Sequence, residues 1–323
     1  MILILSKPGD RDSDCVIEWL NFFKTPFLRI NDEELMQGVA TFSYDANFIE
    51  SSYFEISTQR VYLKDISVVW YRKFGFLTDY EMRLNSVKDL TDFLYDEFKG
   101  LRELILSLLE DKKWLFKRSL TKSKLEVLNI AKNVGLEIPK TIITTERDKV
   151  KLFLEQNSHS IITKPIAEAL NVKLANSTIG LSTKKVETVK DLNRKFSPSL
   201  FQEYIEKEIE LRVFYIMGKC YTMAIFSQSN PQTKIDFRAY DWENPNRFIP
   251  YQLPLQIEAK IDLFMKKLQL NTGSLDIIKS SKNCKYYFLE VNPSGQFGMT
   301  AFPCNYPLHK IVAQNLILLK NEK

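Results

Sequence analysis

The sequence predicts a mixed α/β (α+β) chain built from several subdomains. Three observations carry that prediction. Residues 1–30 run apolar, amphipathic, apolar, which reads as a βαβ opening. Residues 88–111 carry a long apolar stripe at helical spacing. Residues 273–292 read as an antiparallel hairpin whose second arm ends abruptly in a turn.

Composition bounds the classes. The chain has 323 residues, enough for two or three subdomains with sizeable cores. Its 45 Lys and Arg against 40 Asp and Glu leave 45 − 40 = +5. That is too mild for a nucleic-acid stripe, so no nucleic-acid partner is expected, and it suits a protein handling phosphates or an acidic peptide. Cys15, Cys220, Cys284 and Cys304 are widely spaced and there are two histidines. This argues against structural zinc or a disulfide scaffold and fits a cytoplasmic protein. Met1–Leu5 is too short for a signal-peptide core, and no run reaches membrane-span length, so no membrane association is expected.

Residues 1–5 read as a buried strand. Asp12 or Ser13 is placed to cap a helix reaching about Phe23. Phe27–Ile30 is a second strand. No Gly-x-Gly-x-x-Gly follows the first strand, so a dinucleotide site of the Rossmann kind is not expected. Segments near 42–64 suggest short strands. Ile66–Arg72 is another strand with Arg72 at its end. From Lys88 to Asp111, Leu90, Phe93, Leu94, Phe98, Leu101, Leu104, Ile105, Leu108 and Leu109 recur at helical spacing and are expected in the core. The first domain boundary is placed near 115.

Ser123 and Glu126 have capping-box spacing at the start of a helix, which Gly135 ends and Pro139 blocks. Thr141–Thr144 is a strand, Glu146–Gln156 a helix, and Ser160–Pro165 a strand with Lys164 at its end. Residues 167–185 read as a hairpin with a loop. Leu200–Ile205 and Glu208–Met217 are strands, and Gly218–Lys219 turns the chain back into Cys220–Phe226. Asp236 and Arg238 are read as sharing a strand face. Leu255–Leu268 is an amphipathic helix. Pro307–Leu319 is a helix with a partly apolar stripe.

The hairpin holds the chemistry. Glu290 and Asn292 are two apart on one strand and point to one face, while Leu289 and Val291 point to the other. Asp276 on the first arm falls within reach of Glu290. Two carboxylates and a carboxamide offer hard oxygen ligands that suit Mg²⁺. Taken alone, the same pattern also fits two ordinary strands with solvated polar residues.

The ordered set resembles the ATP-grasp superfamily. It runs Ser123–Lys124, Gly135–Thr141, Lys164–Pro165, Gln202–Ile205, Glu210–Arg212, Leu275–Asp276 and Leu289–Pro293. Trp70–Arg72, Asp236–Arg238 and Asn292–Gly298 resemble the graspetide, or microviridin-type, ligases that macrocyclise ribosomally made peptides. Phe302–Leu308 resembles their grasp-with-spasm branch.

The resemblance implies an ATP-grasp fold: a pre-ATP-grasp domain over 1–115, a central subdomain over 116–190 and a C-terminal subdomain over 191–323. It implies ATP and Mg²⁺, expected as two ions held by Asp276, Glu290 and Asn292. Lys164 and Lys124 match the nucleotide-side lysines, with Lys122 close to the latter. Gln202, Glu203, Tyr204 and Ile205 match the adenine hinge, with Glu203 and Tyr204 acting mainly through the main chain. Glu210, with Glu208 as the alternative, matches the ribose carboxylate. Arg212, Arg238 and Asp236 match the catalytic set.

The implied substrate is a ribosomal precursor peptide with a leader and a Thr- and Glu/Asp-rich core, whose Asp or Glu carboxylates are joined to Thr, Ser or Lys. Homo-oligomerisation stays open. A small amino-acid ligase or a glutamate-adding ligase would share the same ATP residues. A nucleotide-binding regulatory protein is the alternative from another class.

Overall fold

A computed structural model describes residues 1–75, 88–116, 122–166, 171–174, 177–180, 183–235, 237–239 and 241–322. The chain divides into two compact units. One comprises Met1–Leu120, Leu270–Gly273 and Pro293–Lys323, and the other Thr121–Gln269 and Ser274–Asn292.

The first unit opens as the βαβ reading expects. Strands β1 (Ile2–Ser6) and β2 (Phe27–Asn31) flank a helix over Arg11–Phe22. Three strands, β3 (Ala40–Ser43), β4 (Tyr53–Ile56) and β5 (Gln59–Tyr62), form a small antiparallel sheet. Strand β6 (Val68–Tyr71) and β7 (Lys113–Leu115) complete a parallel sheet of order β2-β1-β6-β7. All of β1 is buried, as parallel strands require. The C-terminal helix Leu308–Asn321 packs on helix Arg11–Phe22 and on β6 and β7.

Two expectations need correction in this unit. The helix is capped at Asp10, and Asp12 and Ser13 lie inside its first turn, both buried. The cause is Arg72, 1% exposed at the end of β6, which needs anionic partners. Its Nε lies 3.1 Å from Asp10 Oδ2 and its Nη2 2.8 Å from Asp12 Oδ2. Arg72 Nη1 also donates to the carbonyls of Ser294 and Gly295. The long helix, Lys88–Leu108, buries Phe98 and Ile105, with Leu109 just beyond it, but leaves Leu90 and Phe93 exposed, so its N-terminal turns are not core.

Among the described residues the second unit holds two larger sheets and one two-stranded hairpin. The first joins β8 (Thr141–Glu146), β9 (Ile161–Lys164), β12 (Lys184–Val186) and β13 (Lys195–Glu203) in the order β12-β9-β13-β8. Helix Arg147–Gln156 buries Val150, Phe153 and Leu154 against Ile161 and Phe201. Strands β10 (Asn171–Leu174) and β11 (Ser177–Gly180) pair as the expected hairpin.

The second sheet joins β14 (Lys207–Ile216), β15 (Lys219–Phe226), β16 (Arg247–Tyr251), β17 (Thr272–Ser280) and β18 (Tyr286–Asn292) in the order β16-β15-β14-β17-β18. Helix Leu255–Lys267 buries Ile261, Phe264 and Met265, and Asp262 on it accepts from the Tyr215 hydroxyl at 2.7 Å. Tyr215 shares a β14 face with Leu211 and Val213, which leaves Glu208, Glu210 and Arg212 on the other face.

Candidate active site

The helix Lys124–Asn133 begins with the capping box read from the sequence. Glu126 N–H donates to Ser123 Oγ at 3.3 Å, and Ser123 N–H donates to Glu126 Oε2 at 3.0 Å. Gly135 takes a φ of +81° and turns the chain out of the helix. The segment after it is tied to β18, because Phe288 N–H donates to Glu137 O at 2.8 Å. The helix therefore lies against β18, and Lys124 Nζ comes 3.5 Å from Glu290 Oε2.

Asp276 pairs directly with Glu290 across the β17–β18 ladder, and Ser274 pairs with Asn292. Leu275 opposite Val291 shows the alternation. Asp276, Glu290 and Asn292 thus share one face, as the hairpin reading expects. The register shifts immediately after Asp276, so Leu289 is an extra residue on β18. Such a bulge re-aims neighbouring side chains.

Four cations surround the two carboxylates. Arg212 Nη1 donates to Asp276 Oδ1 at 2.6 Å. Arg238 Nη1 lies 3.7 Å from Glu290 Oε1, and Lys124 is on the other oxygen. Lys164 ends β9 and interacts electrostatically with Glu290, Lys124, Arg238 and Asp276. Burial pushes its ammonium below the ordinary lysine range despite the pull of Glu290. Burial also raises the Asp276 carboxyl, more than Arg212 lowers it. Burial would raise Glu290 too, but Lys124, Arg238 and Lys164 outweigh it and hold that carboxyl low.

Lys124, Lys164, Arg212 and Arg238 against Asp276 and Glu290 leave a local charge of 4 − 2 = +2. Cations in excess, two of them partly or largely exposed, attract a polyanion. Arg212 Nε and Ser274 Oγ are buried with no hydrogen-bond partner among the described residues, so polar capacity beside the carboxylates is unmet. Two carboxylates and a carboxamide form an oxygen-only set that fits a hard divalent cation. The donor set and the orphaned polar atoms both fit a metal–polyphosphate complex.

The remaining predicted residues lie at the end of β13, just after it and on β14. Gln202 is buried and its Nε2 donates to Thr141 Oγ1 at 2.9 Å. Glu203 N–H donates to Lys140 O at 2.8 Å and Tyr204 N–H to Ser160 O at 3.1 Å. Those two donors are engaged, whereas the Ile205 N–H has no backbone partner among the described residues. Lys185 Nζ stands 5.4 Å from the centroid of the Tyr204 ring. Glu210 is buried, and its Oε1 accepts from Lys207 Nζ at 2.8 Å and Ser227 Oγ at 2.6 Å. The alternative, Glu208, pairs with Lys279 at 2.9 Å near the surface.

Arg238 lies in a turn and not on a strand, and Asp236 falls outside the described residues. The sequence reading missed Lys207 and Ser227. Their only signal is a lysine at a strand start and a serine at a strand end, which many surface positions share.

No protein-family model and no curated protein sequence matches the chain. Solved structures do. A RiPP-associated ATP-grasp ligase of Chryseobacterium gregarium, solved with ADP and a leader and core peptide, is 25% identical with a TM-score of 0.83, covering 98% of this chain and 96% of that one. The macrocyclase MdnC of Microcystis aeruginosa MRC, bound with precursor peptide MdnA, is 24% identical with a TM-score of 0.79, covering 98% and 99%. The ATP-grasp ligase PsnB, complexed with minimal precursor, Mg and ADP, is 18% identical with a TM-score of 0.77, covering 99% and 97%. The chain has the ATP-grasp fold, and its likeness to RiPP-associated ATP-grasp ligases spans nearly its whole length, as the resemblance in the sequence implied.

Proposed function

We propose that this chain, an ATP-grasp protein built like the RiPP-associated ligases, is an ATP-dependent ligase that joins side chains of a ribosomal precursor peptide. The observation that carries the reading is the convergence of Lys124, Lys164, Arg212 and Arg238 on Asp276 and Glu290 in a fold shared end to end with ligases solved with precursor peptides.

ATP and Mg²⁺ are the cofactors. Asp276, Glu290 and Asn292 hold the metal, which neutralises phosphate charge when bound. Lys124 and Lys164 take the phosphates. The hinge contributes the Ile205 N–H to the base, and Glu210 faces the ribose. An Asp or Glu carboxylate of the peptide takes the γ-phosphoryl group, giving an acylphosphate and ADP. A Thr or Ser hydroxyl, or a Lys amine, then attacks the acyl carbon. The C–O bond to phosphate breaks, inorganic phosphate leaves, and the nucleophile's proton passes to solvent or a base. Arg212 and Arg238 stabilise the charge that builds on phosphate and carboxyl oxygens.

ADP release is the test. The reading predicts turnover that depends on an added Thr- and Glu/Asp-rich peptide and stays at background with free amino acids. Equal turnover with free glutamate and no peptide product would replace it with the small amino-acid ligase.

A further inference from the structure

We infer that Lys207 is a positioning residue that couples Glu210 to the segment leading to Arg238. The inference rests on the reading of Glu210 as the nucleotide-side carboxylate. The Lys207 side chain is 2% exposed, so its charge is held away from water. A buried ammonium is stable only when paired and hydrogen-bonded. Two partners meet that need, Glu210 Oε1 at 2.8 Å and the carbonyl of Ile235 at 3.0 Å.

Those partners belong to different parts of the unit. Glu210 is on β14, and Ile235 lies three residues before Arg238 in a stretch without strands or helices among its described residues. The Ile235 side chain is exposed while its carbonyl is drawn inward. The same Glu210 oxygen also accepts from Ser227 Oγ, at the start of that stretch. Residues 227–235 are therefore fastened at both ends, at Ser227 by Glu210 Oε1 and at Ile235 by the Lys207 ammonium bound to that same oxygen. Thr233 Oγ1 closes the stretch on itself, donating to Ser227 O at 3.2 Å and lying 2.9 Å from Asn246 Oδ1.

A ligand that draws on Glu210 changes the field at Lys207, and Lys207 holds the carbonyl of Ile235, three residues before Arg238. Arg238 in turn lies 3.7 Å from Glu290. Occupancy of the nucleotide end is thereby reported to the arginine at the acceptor end. A lysine serves this purpose because it donates to a carboxylate and a carbonyl at once, which a neutral aliphatic side chain cannot do.

Hydrogen–deuterium exchange on the full chain tests this, comparing wild type with Lys207→Met, with and without ADP and Mg²⁺. Without nucleotide, amides of 227–235 should exchange about tenfold faster in the variant, with the β14–β15 ladder unchanged. ADP should shift exchange of 227–235 in wild type and leave the variant unmoved. Equal exchange of 227–235 in the two unliganded proteins overturns the fastening, and an equal ADP response overturns the coupling. If calorimetry finds that wild type does not bind ADP, the nucleotide reading and the coupling both fail, while the unliganded comparison still decides the fastening. Should Lys207→Met not fold, Ser227→Ala removes the other tether and must loosen the same amides; no change there overturns the proposal. In product formation, Lys207→Met combined with Arg238→Ala should be no worse than Arg238→Ala alone, and additive losses would mark Lys207 as a packing residue only.

Discussion

Asp276 and Glu290 face each other across the β17–β18 ladder, yet each is neutralised by different cations. Asp276 is held by Arg212, and Glu290 by Lys124 and Arg238. Two carboxylates side by side on one sheet face repel, and the site is stable because cations from the Lys124 helix, β14 and the 237–239 turn converge on them. Glu290→Gln should leave the fold intact, since the carboxylate is partly exposed and its partners stay solvated. ADP release should fall by at least about a hundredfold, the scale on which one electrostatic stabiliser acts. Circular dichroism and ADP release check the two halves.

Arg238 is more exposed than Arg212 and reaches Glu290 from a turn. Arg238→Ala should keep ADP affinity within about threefold and cut product formation by about tenfold or more, because it removes an interaction made at the reacting groups. Calorimetry set against product formation separates the two effects. A loss confined to ADP affinity would move Arg238 to the nucleotide side.

Asp10 and Arg72 form a buried pair in the other unit, with Lys73 on the second Asp10 oxygen at 2.7 Å. Burial raises the Asp10 carboxyl, but Arg72, Lys73 and Ser13 outweigh it and hold it far below the ordinary range. A depressed folded-state value adds stability above the unfolded carboxyl's pKa of about 4, and that stability is lost as pH falls below it. Asp10→Asn should cost about 3 kcal/mol at pH 7, because Arg72 is left short of a buried partner. It should also flatten the loss of stability expected of wild type as pH falls from about 5 to 2. Urea unfolding at several pH values measures both.

The cysteines should separate by reactivity. Burial pushes the Cys220 thiol up to about 12 and the Cys304 thiol up to about 11. Cys284 is exposed. Thiolate, not thiol, reacts, so at pH 8 an aromatic disulfide reagent should modify Cys284 first, with Cys220 and Cys304 reacting only on unfolding. Labelling followed by peptide mapping gives the order.

The parts of the site legible in the sequence were those fixed by local rules. The Ser123–Glu126 capping box, the Gly135 stop and the Asp276–Glu290 hairpin follow from spacing alone. The parts that failed depend on distant partners. Asp12 and Ser13 both read as candidate helix caps, because nothing local reveals that Arg72, sixty residues away, draws Asp12 inward. Asp236–Phe237–Arg238 alternates like a strand, yet the described residues there turn, since the neighbouring chain is held by Lys207 and Thr233. Strand β16 went unread because Pro250 interrupts it, which an edge strand tolerates. The short helix Gly298–Cys304 was hidden by Pro303 inside it.

Peptide ligation is tested most directly by the mass of a candidate precursor, a short Thr- and Glu/Asp-rich peptide encoded beside this chain's gene, incubated with the protein, ATP and Mg²⁺. The account predicts the loss of one water per link formed, with links between Glu or Asp and Thr, Ser or Lys side chains, and no loss with Glu290→Gln. An unchanged peptide mass with wild type, while ATP is consumed on a small amino acid, would contradict it.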